Sequence, residues 1–156
     1  MGVEPEITRQ IMTEELAAMA PLIATYGWEV TTDLEKLLVT VKMKTSVLNR
    51  EDIYIVEAKC DDYKVLPPYF EFIHPETLER GTQRCYPADG SFFHTTPCIC
   101  VEWNRKAYAV HGGPHGDWQM ANWTVARPGM NKLGDMFHWL QWLIQSPSRY
   151  KGRMAQ

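Results

Sequence analysis

The sequence predicts a fold of the α+β class, and three patterns in it support this. An apolar face with helical spacing opens the chain, four segments of strand-like composition follow, and a second helical face lies near the end. The chain has 156 residues, of which 45% are hydrophobic and 22% are charged. This length and composition suit one globular domain, so we expect a single domain over residues 1–156.

The first helix is predicted from Pro5 to Tyr26, with Pro21 near its end. Its apolar residues recur every three or four positions, as they do on one face of an amphipathic helix. They are Ile7, Ile11, Met12, Leu16, Met19, Leu22 and Ile23. The closing helix is predicted by a similar face, and Ser146-Pro147 stops it. That face comprises Leu133, Met136, Phe137, Leu140, Leu143 and Ile144.

Four strands are predicted between these helices, and short polar turns make an antiparallel meander the expected arrangement. They are Trp28 to Thr32, Lys36 to Lys44, Asp52 to Lys59 and Tyr69 to Ile73. A long irregular region rich in glycine and proline runs from Glu76 to Met130. Such a region is usually functional or contains short elements that periodicity does not reveal.

Charge and composition also bear on the class of protein. The formal net charge of -3 argues against a general nucleic-acid binder. The N-terminal region is acidic, with Glu4 and Glu6 among its first residues, and has no unbroken apolar run, so we expect no signal peptide, no membrane span and a cytoplasmic location. In that compartment the four cysteines are expected to be thiols.

The residues of chemical interest concentrate in the stretch "CICVEWNRKAYAVHGGPHGDW", from Cys98 to Trp118. Cys100 is the candidate nucleophile, and His111 and His115 are candidate bases, because a thiol reacts as its thiolate. Glu102 would face the same side as Cys100 if the segment were extended, and could then orient a histidine. Two histidines and a carboxylate would also help a hydroxyl acceptor, which needs a base more than an amine does.

The chain resembles the ubiquitin-conjugating enzyme (UBC-like) superfamily in the order of its predicted elements. These are a helix, a four-strand meander with the segment "LPPYFEFIHP" at its last strand, a cysteine loop and a late helix. The tetrapeptide Ile99-Cys100-Val101-Glu102 resembles the segment that carries the family's active cysteine. More narrowly, Cys100, Glu102, His111 and His115 are similar to the Cys-Glu-His-His signature of a bacterial branch. One departure is that "DGSFFHTTP", which includes His94, lacks the asparagine of the usual His-Pro-Asn motif.

The resemblance implies a conjugating enzyme with Cys100 as its thioester carrier and Glu102, His111 and His115 as catalytic residues. The implied partners are a ubiquitin-like protein, its adenylating enzyme and a target protein, with no nucleic acid and no membrane. No cofactor is expected on this chain, since the adenylating enzyme would use the ATP. The branch is linked to conjugation operons for defence against phage.

Three alternatives remain open from the residues. Cys98, Cys100, His111 and His115 could form a structural zinc site, although only one residue separates the two cysteines. The chain could instead be a non-catalytic module that binds a ubiquitin-like protein, or a cysteine hydrolase. The experiments that separate these classes are metal analysis, thioester formation and cleavage of a model conjugate.

The remaining reactive or aromatic residues are interpreted as structural. Among the thiols these are Cys60 and Cys85, and Cys98 is a weaker candidate nucleophile than Cys100. Among the histidines they are His74, His94 and His138. The tryptophans are expected in the core beneath the long loop. The tail "SRYKGRMAQ" is expected to be solvated, as short charged termini usually are.

Overall fold

A computed structural model of the chain describes residues 2–88, 93, 97–111 and 118–155, without the side chain of His111. The described part has one antiparallel sheet of four strands and several helices, which confirms the predicted α+β class. None of the helices in these ranges is long and apolar enough to cross a membrane.

The N-terminal helical region consists of two helices, α1 (Pro5–Ala18) and α2 (Ala20–Tyr26), so the prediction of one continuous helix was wrong. The break lies at Met19, whose amide donates to the carbonyl of Leu16 at 3.1 Å. Pro21 explains the break, because it has no amide hydrogen and its ring clashes with the carbonyl four residues earlier. It is tolerated in the first turn of α2, where no such bond is required.

The sheet follows the predicted meander. Its strands are β1 (Glu29–Asp33), β2 (Leu38–Thr45), β3 (Asp52–Lys59) and β4 (Tyr69–Ile73), in the order β1-β2-β3-β4 with every pair antiparallel. The observed bounds of β3 and β4 are the predicted ones. Buried and half-buried residues alternate along most of β2 and β3, because successive side chains of a strand point to opposite faces.

The core lies between the inner face of this sheet and helix α5 (Leu133–Gln145). The rings of Phe70 on β4 and Phe137 on α5 meet edge to face with centroids 5.4 Å apart. The indole of Trp28 donates to the side-chain oxygen of Gln141 at 2.7 Å, which satisfies the two buried polar groups. The inner face of the sheet supplies Val39, Val41, Met43, Tyr54, Val56, Ala58, Phe70 and Phe72.

Among the described residues between β4 and α5, in the region predicted as irregular, lie four short elements. They are the 3-10 helix Gln83–Cys85, helix α3 (Arg105–His111), the 3-10 helix Met120–Asn122 and helix α4 (Trp123–Ala126). Each is shorter than the window over which helical periodicity becomes visible. Helix α3 begins shortly after the candidate cysteine, Cys100, and therefore bounds its surroundings on one side.

The C-terminal segment is docked, and the expectation that it is solvated was wrong. Residues 150–154, here called the C-terminal strap, pair with the segment that leads out of the 3-10 helix at Gln83–Cys85. The amide of Ala88 donates to the carbonyl of Gly152 at 2.8 Å, and the amide of Met154 donates to the carbonyl of Tyr86 at 2.8 Å. These backbone bonds, which no charge pattern predicts, hold the strap in place.

Arg153 adds the side-chain contacts that make its charge part of the fold. Its guanidinium donates to both carboxylate oxygens of Asp52, at 2.8 and 3.1 Å. It also lies 4.3 Å from the ring centre of Tyr54, as a cation–π pair. The charge of Arg153 is therefore balanced by Asp52 at the start of β3.

The tryptophans divide between core and surface. Trp28, Trp103 and Trp123 are buried, as predicted, whereas Trp142 on α5 is exposed and its assignment to the core was wrong. Trp142 lies on the outer side of α5, where Arg149 covers part of its ring.

Candidate functional site

The four cysteines differ in exposure. Cys60, Cys85 and Cys98 are 0% exposed, whereas Cys100 is 7% exposed, and all four are thiols. The first three donate to nearby backbone carbonyls, those of Ala58, Glu79 and Ile99 respectively. Of the four, Cys100 is thus the thiol that solvent or a reactant reaches most easily.

The chain turns immediately after Cys100. The amide of Val101 donates to the carbonyl of Ile99 at 3.1 Å, and the amide of Asn104 donates to the carbonyl of Val101 at 3.2 Å. The premise that Cys100 and Glu102 alternate along an extended segment was therefore wrong. Both residues instead belong to a tight bend between Ile99 and helix α3.

Asn104 explains why the chain bends here, and the sequence analysis missed it. Its wholly buried side chain donates to the carbonyl of Ile99 at 2.8 Å. Its side-chain oxygen accepts from the amide of Phe70 at 2.9 Å and from the amide of Lys106 at 3.1 Å. Asparagine before the first turn of a helix is a common N-cap, so the pattern Asn104-Arg105-Lys106 was an available signal.

Helix α3 is held against the sheet by charged side chains. Lys106 is buried, and its ammonium lies 3.2 Å from a carboxylate oxygen of Glu71 on β4. Arg80 bridges the same carboxylate and that of Glu57 on β3. Arg105 pairs with Asp61 at 2.6 Å on the other side of the helix start. These pairs fix the helix that follows the bend.

Glu102 forms an ion pair with Arg127, which the sequence analysis did not select. Nη2 of Arg127 donates to Oε1 of Glu102 at 3.3 Å, and Nε lies 3.2 Å from Oε2. The carbonyl of Glu102 accepts from the hydroxyl of Tyr108 at 3.0 Å. No local pattern could reveal Arg127, because it is separated from Glu102 by 25 positions in sequence.

The surroundings of the two adjacent thiols favour their protonated forms. Burial raises the pKa of Cys100, and the negative charge of Glu102 raises it further. Burial also raises the pKa of Cys98 to about 12, the neighbouring Cys100 adds to the rise, and Lys106 opposes it. A reaction at Cys100 therefore requires a base or a cation that stabilises the thiolate.

The candidate histidines are only partly placed. The backbone of His111 forms the last residue of α3, and its side chain and the whole of His115 lie outside the described residues. His94 also lies outside them. His74 accepts from the amides of Glu76 and Thr77 in a turn, and His138 meets the hydroxyl of Tyr26 at 2.9 Å. Both of these lie in local hydrogen-bonded settings.

A surface pocket of about 290 Å³ lies beside the bend. Glu102 forms part of its wall, and the opposite side comes from the segment that contains Met120–Asn122 and α4. The lining residues are Glu102, Trp118, Gln119, Asn122, Val125 and Ala126. The lining is thus mixed, with aromatic, amide and aliphatic residues beside the carboxylate of Glu102, which is paired with Arg127.

The zinc hypothesis is not tested by the described residues. Within residues 2–88, 93, 97–110 and 118–155, no group of three or more histidine, cysteine, aspartate or glutamate side chains could hold a metal ion. Two of the four proposed ligands, His111 and His115, have no described side chain.

Comparison with known proteins gives no family. No protein-family model matches this chain, and a search of curated proteins found no match either.

Proposed function

We propose that this protein is a conjugating enzyme with a UBC-like fold, which carries a ubiquitin-like protein as a thioester on Cys100 and transfers it to an amine or hydroxyl of a target. The observation that carries the proposal is the setting of Cys100. It is the least buried of the four thiols, it lies at a bend between the sheet and α3, and Glu102, two positions later, lines a surface pocket.

The architecture supports this proposal. Helices α1 and α2, a four-stranded antiparallel meander, a thiol segment after β4 and the late helix α5 occur in the order that the resemblance implies. The thiol segment is tied to edge strand β4 through Asn104. A carrier thiol that must accept and release a large acyl group benefits from such a fixed backbone.

The chemistry consists of two acyl transfers. The Cys100 thiolate attacks the thioester between the modifier's C-terminal carbonyl and the adenylating enzyme, whose thiolate leaves. The target's amine or hydroxyl then attacks the new thioester, the Cys100 thiolate leaves, and an amide or ester forms. The attacking group loses one proton to a base in this second step.

The main requirement that the site must meet is the deprotonation of the Cys100 thiol. Because the pKa of Cys100 is raised by burial and by Glu102, the thiol needs assistance to react near neutral pH. His111 and His115 are the proposed bases, and Glu102 is proposed to act with them. ATP would be consumed by the adenylating partner, so the chain itself needs no cofactor.

Thioester trapping tests the proposal. The purified protein is mixed with ATP, a candidate ubiquitin-like protein and the adenylating enzyme that charges with this modifier. Non-reducing gels with and without thiol then compare the wild type with Cys100→Ala, Cys98→Ala and Cys100→Ser. We expect a thiol-sensitive adduct that Cys100→Ala abolishes and Cys98→Ala retains, and a thiol-resistant ester on Cys100→Ser.

The absence of an adduct would contradict the proposal, provided that the adenylating enzyme charges itself in the same reaction. An adduct that is lost in Cys98→Ala and kept in Cys100→Ala would also contradict the proposal, because it would show that Cys98 is the carrier. His111→Ala and His115→Ala then test the proposed bases in single-turnover transfer from the preloaded enzyme.

A further inference from the structure

Arg127 forms an ion pair with Glu102, in which one nitrogen donates a hydrogen bond to Oε1 and a second nitrogen lies close to Oε2 without donating to it. The separations are 3.3 Å for Nη2 to Oε1 and 3.2 Å for Nε to Oε2. The Glu102 side chain is 14% exposed and that of Arg127 is 35% exposed. A guanidinium suits such a part-buried pair better than an ammonium does, because its charge is spread over a rigid plane and is more weakly hydrated.

Arg127 is itself well anchored through the short helix before it. Trp123 on α4 is buried, and its indole donates to the carbonyl of Lys64 at 3.0 Å. The carbonyl of Arg127 accepts from the amide of Met130 at 3.2 Å. The guanidinium is therefore presented to Glu102 by a fixed part of the chain.

We propose that Arg127 is a positioning residue of this site: its guanidinium holds the Glu102 carboxylate in the bend beside Cys100 and balances its negative charge there. This inference rests on the proposed function. It adds a fifth residue to the proposed site, drawn from a segment that none of the four candidate residues occupies. The ion pair lessens the negative charge beside the thiol, where a bare carboxylate would repel the thiolate more strongly.

The physical consequence concerns the thiolate at Cys100. Without Arg127, the charge of Glu102 is no longer balanced, and the thiolate becomes harder to form. Without Glu102, nothing holds the partly exposed guanidinium at the site, and its charge moves into solvent. The effect of Arg127 on the thiol therefore depends on the presence of Glu102.

Alkylation of Cys100 by iodoacetamide tests this coupling and requires no partner protein. The rate is measured near neutral pH for the wild type, Arg127→Gln, Glu102→Gln and the double variant, with tandem mass spectrometry locating the adduct. We expect Arg127→Gln to slow alkylation roughly two- to fivefold, as a pKa rise of about half to one unit would. We expect Arg127→Lys to recover part of the rate, and Arg127→Gln to have no effect in the Glu102→Gln background.

Arg9→Gln is the matched control, because it removes an arginine that pairs with a glutamate on α1, away from the thiol. An unchanged or faster rate in Arg127→Gln would overturn the inference, and so would an equal slowing in both backgrounds. Thermal unfolding of each variant verifies that the fold is kept. Because alkylation is independent of thioester loading, a failure of the proposed function and a failure of this inference give different results.

Discussion

The side chain of Asn104 donates to the carbonyl of Ile99 at 2.8 Å, and this bond ties the residue before Cys100 to the start of helix α3. The oxygen of the same side chain accepts from the backbone amide of Phe70. One buried amide thus joins the thiol segment, the edge strand of the sheet and the following helix.

Replacing Asn104 by alanine should destabilise the fold and loosen the bend. The change leaves buried backbone groups of Ile99, Phe70 and Lys106 without their partner, at a cost of about 1–3 kcal/mol in the free energy of unfolding. Urea unfolding measures it. Asn122→Ala is the control, since Asn122 is exposed and bonds to the side chain of Gln119. Equal losses in the two variants would contradict the role given to Asn104.

Glu15→Gln should destabilise the packing of α1 against α5. The carboxylate of Glu15 accepts from the hydroxyl of Tyr63 at 2.7 Å and from the amide of Leu133 at 2.8 Å, and it pairs with Lys64 at 2.7 Å. Glutamine keeps the shape but loses the charge, so we expect a loss of about 1–3 kcal/mol in unfolding free energy. Exposed Glu14, changed to glutamine, should have almost no effect; a loss as large as that of Glu15→Gln would contradict the prediction.

Arg153→Gln should release the C-terminal strap. It removes the bidentate pair with Asp52 and the cation–π contact with Tyr54, and we expect about 1–3 kcal/mol of lost stability. Limited proteolysis should cut the strap faster in this variant than in the wild type. The neighbouring exposed Lys151, changed to glutamine, is the control. Unchanged stability and cleavage in Arg153→Gln would show that the backbone pairing suffices.

Stability should fall as the pH rises above the ordinary thiol pKa of 9.0, partly because of Cys60. Burial raises the pKa of Cys60, and Glu15 adds to the rise. The folded chain therefore holds this proton more tightly than the unfolded chain does. The stabilisation is complete below the ordinary value and is lost as the pH rises above it.

Urea unfolding from about pH 8 to about pH 11 measures this dependence. Cys60→Ala should lower stability at neutral pH by removing a packed side chain, and should also make the decline at high pH less steep. An identical decline in the wild type and the variant would contradict the prediction for Cys60.

The fold followed from the sequence wherever local patterns decided the structure. Strands β3 and β4 have the bounds that their sequence patterns predicted, because one face of each is buried in the core. The break at Met19 was not predicted, since the apolar spacing continues across it while Pro21 prevents a continuous helix. Helix α3 was missed because its seven residues show no clear period.

The site was less accessible to prediction than the fold. Cys100 and Glu102 could be selected because thiols and carboxylates are common catalytic groups. The contacts that hold them, however, come from elsewhere in the chain. Arg127 and Phe70 meet the site through tertiary packing, at sequence separations of 25 from Glu102 and 34 from Asn104. Only Asn104, as an N-cap, had a local signal.

The C-terminal strap has a consequence for the order of folding. Arg153 meets Asp52 across 101 positions of sequence, whereas the β-hairpins of the meander join near neighbours. Closing a long loop costs more chain entropy than closing a short one, so contacts this distant in sequence are expected to form late. We therefore expect the hairpins to assemble first. The segment at Tyr86 and Ala88, which pairs with the strap, would then be fixed last, after the sheet has formed.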